Sequence, residues 1–312
     1  MVNSIKSYRG PVFPVLTLFN NDGTIDEAGL IKYMHYLVDN GVRAVMCTVG
    51  TSRYDVMTTE EIVSVNSLVA QTVKDIDESV LCILTTPGFG PTSMSIYFAD
   101  AAAEAGADAM LAFYPDRYYG DASIIDYFSD ISASSSIGIM IHEMQMRAGR
   151  MAEAPNWQYS MTAIDEILKL DNVVGMKEES ADEGLIRDIN SRYAQDYLII
   201  GGRGGMGAHL NARQYGQCSY LTGIGNINPT IELDFFNAIE NGNEQVAAEI
   251  INNIEKPFFD VAVRIGWHPA LKAAMNIAGL CQSYERKPMP GISNKDYQEL
   301  EAIMKTTGII DR

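Results

Sequence analysis

Histidine and cysteine are both scarce, with four of each in 312 residues. His35, His142, His209 and His268 stand at no metal-ligand spacing from one another, which argues against a zinc site built by the protein. Cys47, Cys82, Cys218 and Cys281 are widely separated, lie mostly in apolar runs and form no C-x-x-C pair. They read as reduced core residues rather than a disulfide framework. Positive charge is also short: Lys and Arg total 23 against 40 Asp and Glu, a formal charge of −17. A polyanion would be repelled over most of such a surface, so nucleic acid is not an expected partner. A pocket that gathers a few arginines could still take a small anion, because net charge describes the outer field and not a cleft. No run of about 18 apolar residues occurs, and residues 1–10 carry neither an apolar signal core nor an Arg-rich transit pattern. A soluble, cytoplasmic protein with no membrane partner is the default expectation.

What the chain does have is apolar content, 47% of its residues, arranged with a period. Short apolar or β-branched runs alternate with amphipathic helical segments. The strand candidates are Val12–Leu18, Ala44–Thr48, Val80–Thr85, Ala109–Phe113, Ile137–His142, Val173–Lys177, Leu198–Gly201 and Ser219–Thr222. Asp26–Asp39 reads as a helix, and Thr58 followed by Glu61 reads as a capping box that opens another. Eight strands alternating with helices predict an α/β fold, a (β/α)8 TIM barrel, with an open doubly wound sheet as the competing architecture. After Pro229 the pattern is helical alone: Thr230–Asn241, Asn243–Val263, Pro269–Ala278 and Asn294–Thr306. The expected organisation is therefore a barrel over residues 1–229 and a carboxyl-terminal helical extension over 230–312 packed on it, with no linker marking an independent domain.

In such a barrel the functional groups belong at the carboxyl ends of the strands. Lys177 ends the apolar run Val173, Val174, Gly175, Met176, and a lysine there points into the barrel mouth, where low dielectric can free its amine as a nucleophile. A surface lysine beginning a loop is the alternative. Gly50, Thr51 and Ser52 after the second strand offer amides and hydroxyls without bulk, suited to a carboxylate, or they form a polar turn. Tyr118 and Tyr119 follow the fourth strand and could relay protons or pack. His142 and Glu143 end the fifth strand, with Arg147 beyond them: a histidine can exchange protons near neutral pH and an arginine can grip a carboxylate with two bonds. A structural histidine fits the position equally. Gly202–Gly207 satisfies G-x-G-x-x-G, but no acidic residue lies about 20 positions on, so dinucleotide binding is not expected. With Arg203 that loop could instead bind phosphate or carboxylate through its amides, or serve close backbone packing beside the Lys177 strand.

Taken in order, Gly50-Thr51-Ser52, Pro115 with its tyrosines, Arg147-Ala148-Gly149, Val174-Gly175-Met176-Lys177-Glu178 and Gly223-Ile224-Gly225-Asn226-Ile227-Asn228-Pro229 resemble the dihydrodipicolinate synthase and N-acetylneuraminate lyase family. The opening Gly10–Phe19 with Asp22, Gly23 and Asp26 is similar too, so the resemblance covers nearly the whole chain. It implies a Schiff-base-dependent lyase of aldolase or dehydratase type, in which Lys177 condenses with pyruvate or another 2-oxo acid. Thr51 and Ser52 would bind the oxo-acid carboxylate, with Gly202, Arg203 and Ile224 also on the substrate side. Tyr119 or Tyr118 would extend a proton relay, and Arg147 would bind a second, anionic substrate. A homotetramer is implied, and no cofactor or metal is expected. The chain departs from the family where Arg53 and Tyr54 replace the usual Gly-Glu and where His142 aligns with the catalytic tyrosine. The usual proline after that tyrosine is also missing, with Glu143, Met144 and Gln145 in its place. An imidazole titrates near 6.5 and a phenol near 10, so the implied specificity and pH dependence differ from those of authentic dihydrodipicolinate synthase. The alternative is a catalytically weakened homologue that binds an oxo acid as a sensor or structural subunit.

Overall fold

Each apolar run becomes a parallel strand, and the eight strands close on themselves. The computed structural model describes residues 2–115, 117–144, 146–148, 158–180 and 182–311. The barrel strands are β1 (Gly10–Pro14), β2 (Ala44–Cys47), β3 (Leu81–Thr85), β4 (Ala109–Ala112), β5 (Gly138–Glu143), β6 (Val173–Glu178), β7 (Leu198–Gly201) and β8 (Ser219–Leu221). Each pairs in parallel with the next, and β8 returns to β1. The barrel is therefore a (β/α)8 TIM barrel, as the alternation predicts. The helices, in chain order, are α1 (Val2–Lys6), α2 (Glu27–Asp39), α3 (Thr59–Ile76), α4 (Thr92–Glu104), α5 (Asp121–Ser134), α6 (Met161–Leu168) and α7 (Glu183–Tyr193). Then follow α8 (Met206–Arg213), α9 (Pro229–Glu240), α10 (Glu244–Ile250), α11 (Lys256–Ile265), α12 (Trp267–Ile277) and α13 (Asn294–Thr307). Gly149, part of the motif after Arg147, lies outside the described residues, as does Gln145.

The two-residue period of a strand sorts the side chains into two cores. Ala44 and Met46, Leu81 and Ile83, and Ala109 and Leu111 face the barrel interior. Their neighbours Val45, Cys82 and Met110 face the helices. Ile5 of α1 joins the interior cluster, and Tyr8 packs against it. The capping box at α3 forms: the Thr58 hydroxyl accepts from Glu61 N, and the Glu61 carboxylate accepts from Thr58 N.

The single helix expected over Asn243–Val263 is instead interrupted by a π turn at Ile251–Glu255. Pro257 has no N–H to give to the carbonyl four residues back, and a widened turn absorbs that loss. Glu255, on this turn, reaches across to accept from Met206 N and Gly207 N, the latter at 2.9 Å. Glu232 of α9 does the same after β8, accepting from Gly223 N and Ile224 N at 3.0 Å each and from the Tyr220 hydroxyl. The boundary expected after Pro229 thus falls within the first turn of α9, a helix bonded into the loop after β8.

The extension is pinned to the barrel by a buried ion pair. Arg53, fully buried, places Nη2 2.6 Å from Glu285 Oε1 and 2.9 Å from His268 O. A buried guanidinium must find a carboxylate, so this cation is spent inside the protein rather than offered to substrate. Arg53→Met leaves Glu285 as an uncompensated buried charge and should cost about 3–5 kcal/mol in denaturant melts. Adding Glu285→Leu should recover much of it; a double variant as unstable as the single one would show that packing, not charge, dominates.

Candidate active site

Parallel pairing sets His142 of β5 opposite Lys177 of β6, and Glu143 opposite Glu178. The register slips between Ile139 and Met140, where β6 carries an extra residue. That irregularity lies just before Gly175, at which a Cβ would stand 2.1 Å from Leu198 O, so only glycine lets β7 approach this closely. Beyond it His142 and Lys177 both face a cavity of roughly 370 Å³ at the barrel mouth.

Three side chains meet there. Lys177 Nζ lies 3.0 Å from His142 Nε2, and His142 Nε2 lies 2.8 Å from Glu179 Oε2, which also accepts from Lys177 Nζ. Sequence reading missed Glu179, although the two-residue period already sets it on the face of Lys177. Burial and the Lys177 charge push His142 down to about 4, so its imidazole is neutral at pH 7. Burial favours the acid form of Glu179, but the Lys177 charge and the His142 bond prevail and hold it down to about 2. Nε2 can offer its lone pair to the lysine or a proton to the carboxylate, never both at once. The ring is therefore poised to take a proton from one neighbour while the other stabilises the resulting charge. The Phe113 ring meets the imidazole edge-on, with centroids 4.4 Å apart, and fixes its plane.

Of the residues expected in the site, Lys177, His142, Thr51, Gly202 and Arg203 line this cavity. At Gly202 a Cβ would meet Glu178 O at 2.8 Å and Lys177 Cε at 3.1 Å, so the glycine serves close packing beside the lysine. The amides that open α8 are occupied by Glu255, which rules out an anion seat on that helix terminus. Ser52 is fully buried and turns its hydroxyl to Val15 O, away from the cavity. Ile224 is buried beneath the mouth, its N–H given to Glu232. Tyr119 lies on the surface, 43% exposed, and is not among the cavity's residues. Arg147 belongs to a two-residue strand, Arg147–Ala148, paired in parallel with Arg117–Tyr118. The structure adds Thr222, His268 and Tyr54 to the lining. No group of three or more potential metal ligands occurs among the described residues.

On the outer side of the same strand ends, burial and the neighbouring Glu178 charge push Glu143 up to about 8. Glu178, itself buried, rises to about 7 while accepting from Ser180 N at 2.6 Å. Between the ordinary carboxyl value of 4.5 and about 8, the folded protein keeps a proton on Glu143 that the unfolded chain sheds, so stability falls as pH rises through that window. Glu143→Gln should flatten this slope, as read from thermal melts at pH 5 to 9; an unaltered slope would show that Glu143 ionises normally.

Residues 7–307 match the Dihydrodipicolinate synthetase family. A 4-hydroxy-tetrahydrodipicolinate synthase of Methanococcoides burtonii is 26% identical over 97% of this chain and 99% of its own length. A protein of Streptomyces griseus named as a probable 5-dehydro-4-deoxyglucarate dehydratase is 23% identical over 91% of this chain and 87% of its own. Among solved structures, YagE is a prophage protein of the dihydrodipicolinic acid synthase family from Escherichia coli K12, in complex with pyruvate. It superposes with a TM-score of 0.83 at 16% identity, covering 97% of this chain and all of that one. With the match spanning the barrel and most of its extension, and the fold shared, this chain belongs to the dihydrodipicolinate synthetase family.

Proposed function

We propose that the protein is a Schiff-base-forming lyase, of aldolase or dehydratase type, acting on pyruvate or another 2-oxo acid. The observation that carries this is Lys177 Nζ, buried at a strand end in the mouth cavity and held by His142 and Glu179. The amine attacks the C2 carbonyl, the carbonyl oxygen leaves as water, and the protonated imine draws electrons from the adjacent carbon. His142 accepts the proton that the lysine must lose, and the Glu179 carboxylate stabilises the imidazolium formed. Thr51 takes the oxo-acid carboxylate, while Ser52 holds the loop that presents it. Arg203 and Arg147 are the cations for an anionic second substrate. The pyruvate complex of YagE supports the oxo-acid side. The relatives' names, a synthase and a dehydratase, support the class and leave the second substrate open. A homotetramer belongs to this reading, and the exposed Tyr119 gains a proton-relay role only if a partner chain carries it to a mouth.

Pyruvate with borohydride should add one reduced imine per chain, mapped to Lys177 by peptide mass, and Lys177→Ala should abolish it. An adduct on Lys74 or Lys169 would overturn the assignment, since these lie outside the mouth cavity, paired with Asp108 and Glu166 at 2.7 Å each.

The pH profile tests His142. In the free enzyme the base stays unprotonated down to about 4, so the acid limb of kcat/KM should fall near that value and not near 6.5. His142→Phe should cost roughly 10²-fold in turnover and remove the limb. An unchanged profile in that variant would eliminate the catalytic role.

A further inference from the structure

We infer that the second substrate carries an aromatic ring, seated in an apolar annex beside Lys177 that no known role of the chain explains; the inference rests on the Schiff-base reading. A second cavity, of roughly 280 Å³, opens from the first, and Tyr54, Phe113, His142 and Met144 line both. The shared wall runs directly from the reacting amine, because His142 Nε2 lies 3.0 Å from Lys177 Nζ. A group bonded to the electrophilic carbon would therefore enter the annex.

The walls decide what that group is. Phe89, Tyr114 and Tyr159 complete the ring of aromatic side chains, and Met146 closes it from the strand side. Among the described residues, the lining contains no lysine, arginine, aspartate or glutamate. The Tyr114 hydroxyl is hydrogen-bonded to that of Ser123 at 3.0 Å, and Ser123 is not among the residues that line the annex. Tyr54 stands with its ring centroid 6.5 Å from Phe89 and 6.2 Å from Phe113, both tilted, a spacing suited to edge and offset contacts with an added ring. Methionines are adaptable and their sulfur makes favourable contacts with aromatic rings. An apolar cavity of about 150 Å³ suffices for benzene, so the annex has room for a substituted ring. A sugar-like chain of hydroxyls would instead lose its hydration against these walls with few partners in exchange. The carboxylate of the oxo acid has its own place outside the annex, where Thr51 lines the first cavity.

In the synthetic direction the pyruvate enamine attacks the aldehyde carbon. One carbon–carbon bond forms, the carbonyl oxygen takes a proton, and water then hydrolyses the imine to return Lys177. Kinetics with pyruvate and either benzaldehyde or acetaldehyde, both uncharged, read the annex without confounding it with charge. The wild-type kcat/KM should favour benzaldehyde by about tenfold or more. Phe89, 46% exposed, can be replaced without opening the core, and Phe89→Ser should lower that ratio by about tenfold. A ratio at or below one, or one indifferent to the substitution, overturns the inference. A second measurement needs no imine: in Lys177→Ala, benzyl alcohol should shift the methyl resonances of Met144 and Met146, assigned through Met→Leu variants. Absence of these shifts at millimolar benzyl alcohol also overturns the annex. If the shifts appear but borohydride traps nothing on the wild type, the Schiff-base reading falls and the aromatic subsite stands.

Discussion

A lysine ammonium 96% withdrawn from solvent must be matched by an anion, and the mouth of this barrel is arranged around that requirement. Glu179, two residues on, supplies the charge, and His142 enters from the neighbouring strand to share the same carboxylate oxygen. The arrangement depends on register. A slip of one residue between β5 and β6 would turn His142 out of the barrel and leave the lysine with one partner fewer. The irregularity ahead of Gly175 and the close approach of β7 at that glycine hold the register that brings the three groups together.

The acidic excess of the chain is used internally as well as at the surface. Glu232 and Glu255 occupy the amides of the loops after β8 and β7, and Glu285 neutralises Arg53 beneath the loop after β2. These carboxylates tie the helices beyond the barrel to the loops that shape the mouth. Little solvent reaches this layer, with Glu232 fully buried and Glu255 nearly so, and burial with the Glu232 charge raises Glu255 to about 7. Loops fastened this way hold Gly202 and Arg203 at the cavity wall instead of presenting free amides to an anion.

Charge and apolar surface are divided between the two cavities. Lys177, Glu179 and Arg203 line the first cavity together with Phe259 and Trp267 of the extension, whereas among the described residues no Lys, Arg, Asp or Glu lines the second, past His142. His142 falls on the border between them. Its imidazole is packed edge-on against Phe113 and kept neutral by burial, so it meets the apolar side without an exposed charge. A phenol at the same place would present a donor with a much higher ordinary pKa.

The strand periods, the capping box at Thr58 and the place of Lys177 at a strand end were legible because they depend on local pattern, which a single chain displays. The ordered motifs from Gly50 to Pro229 were sufficient for the family as well. What a linear reading lacked was the direction of long side chains and the identity of partners far apart in sequence. Arg53 follows the Gly50-Thr51-Ser52 motif directly, yet 232 residues separate it from the carboxylate that claims it. Ser52 and Thr51 looked alike, and only the packing of β1 beside them turned one hydroxyl to Val15 O and left the other at the cavity. The glycine run after β7 suggested an anion seat until α11's preceding turn brought Glu255 onto it. The sequence by itself determined which residues alternate, which strand ends carry chemistry and what kind of barrel they build. Tertiary structure alone decided which charges face one another, because burial makes every ion choose a partner and that choice is made in space.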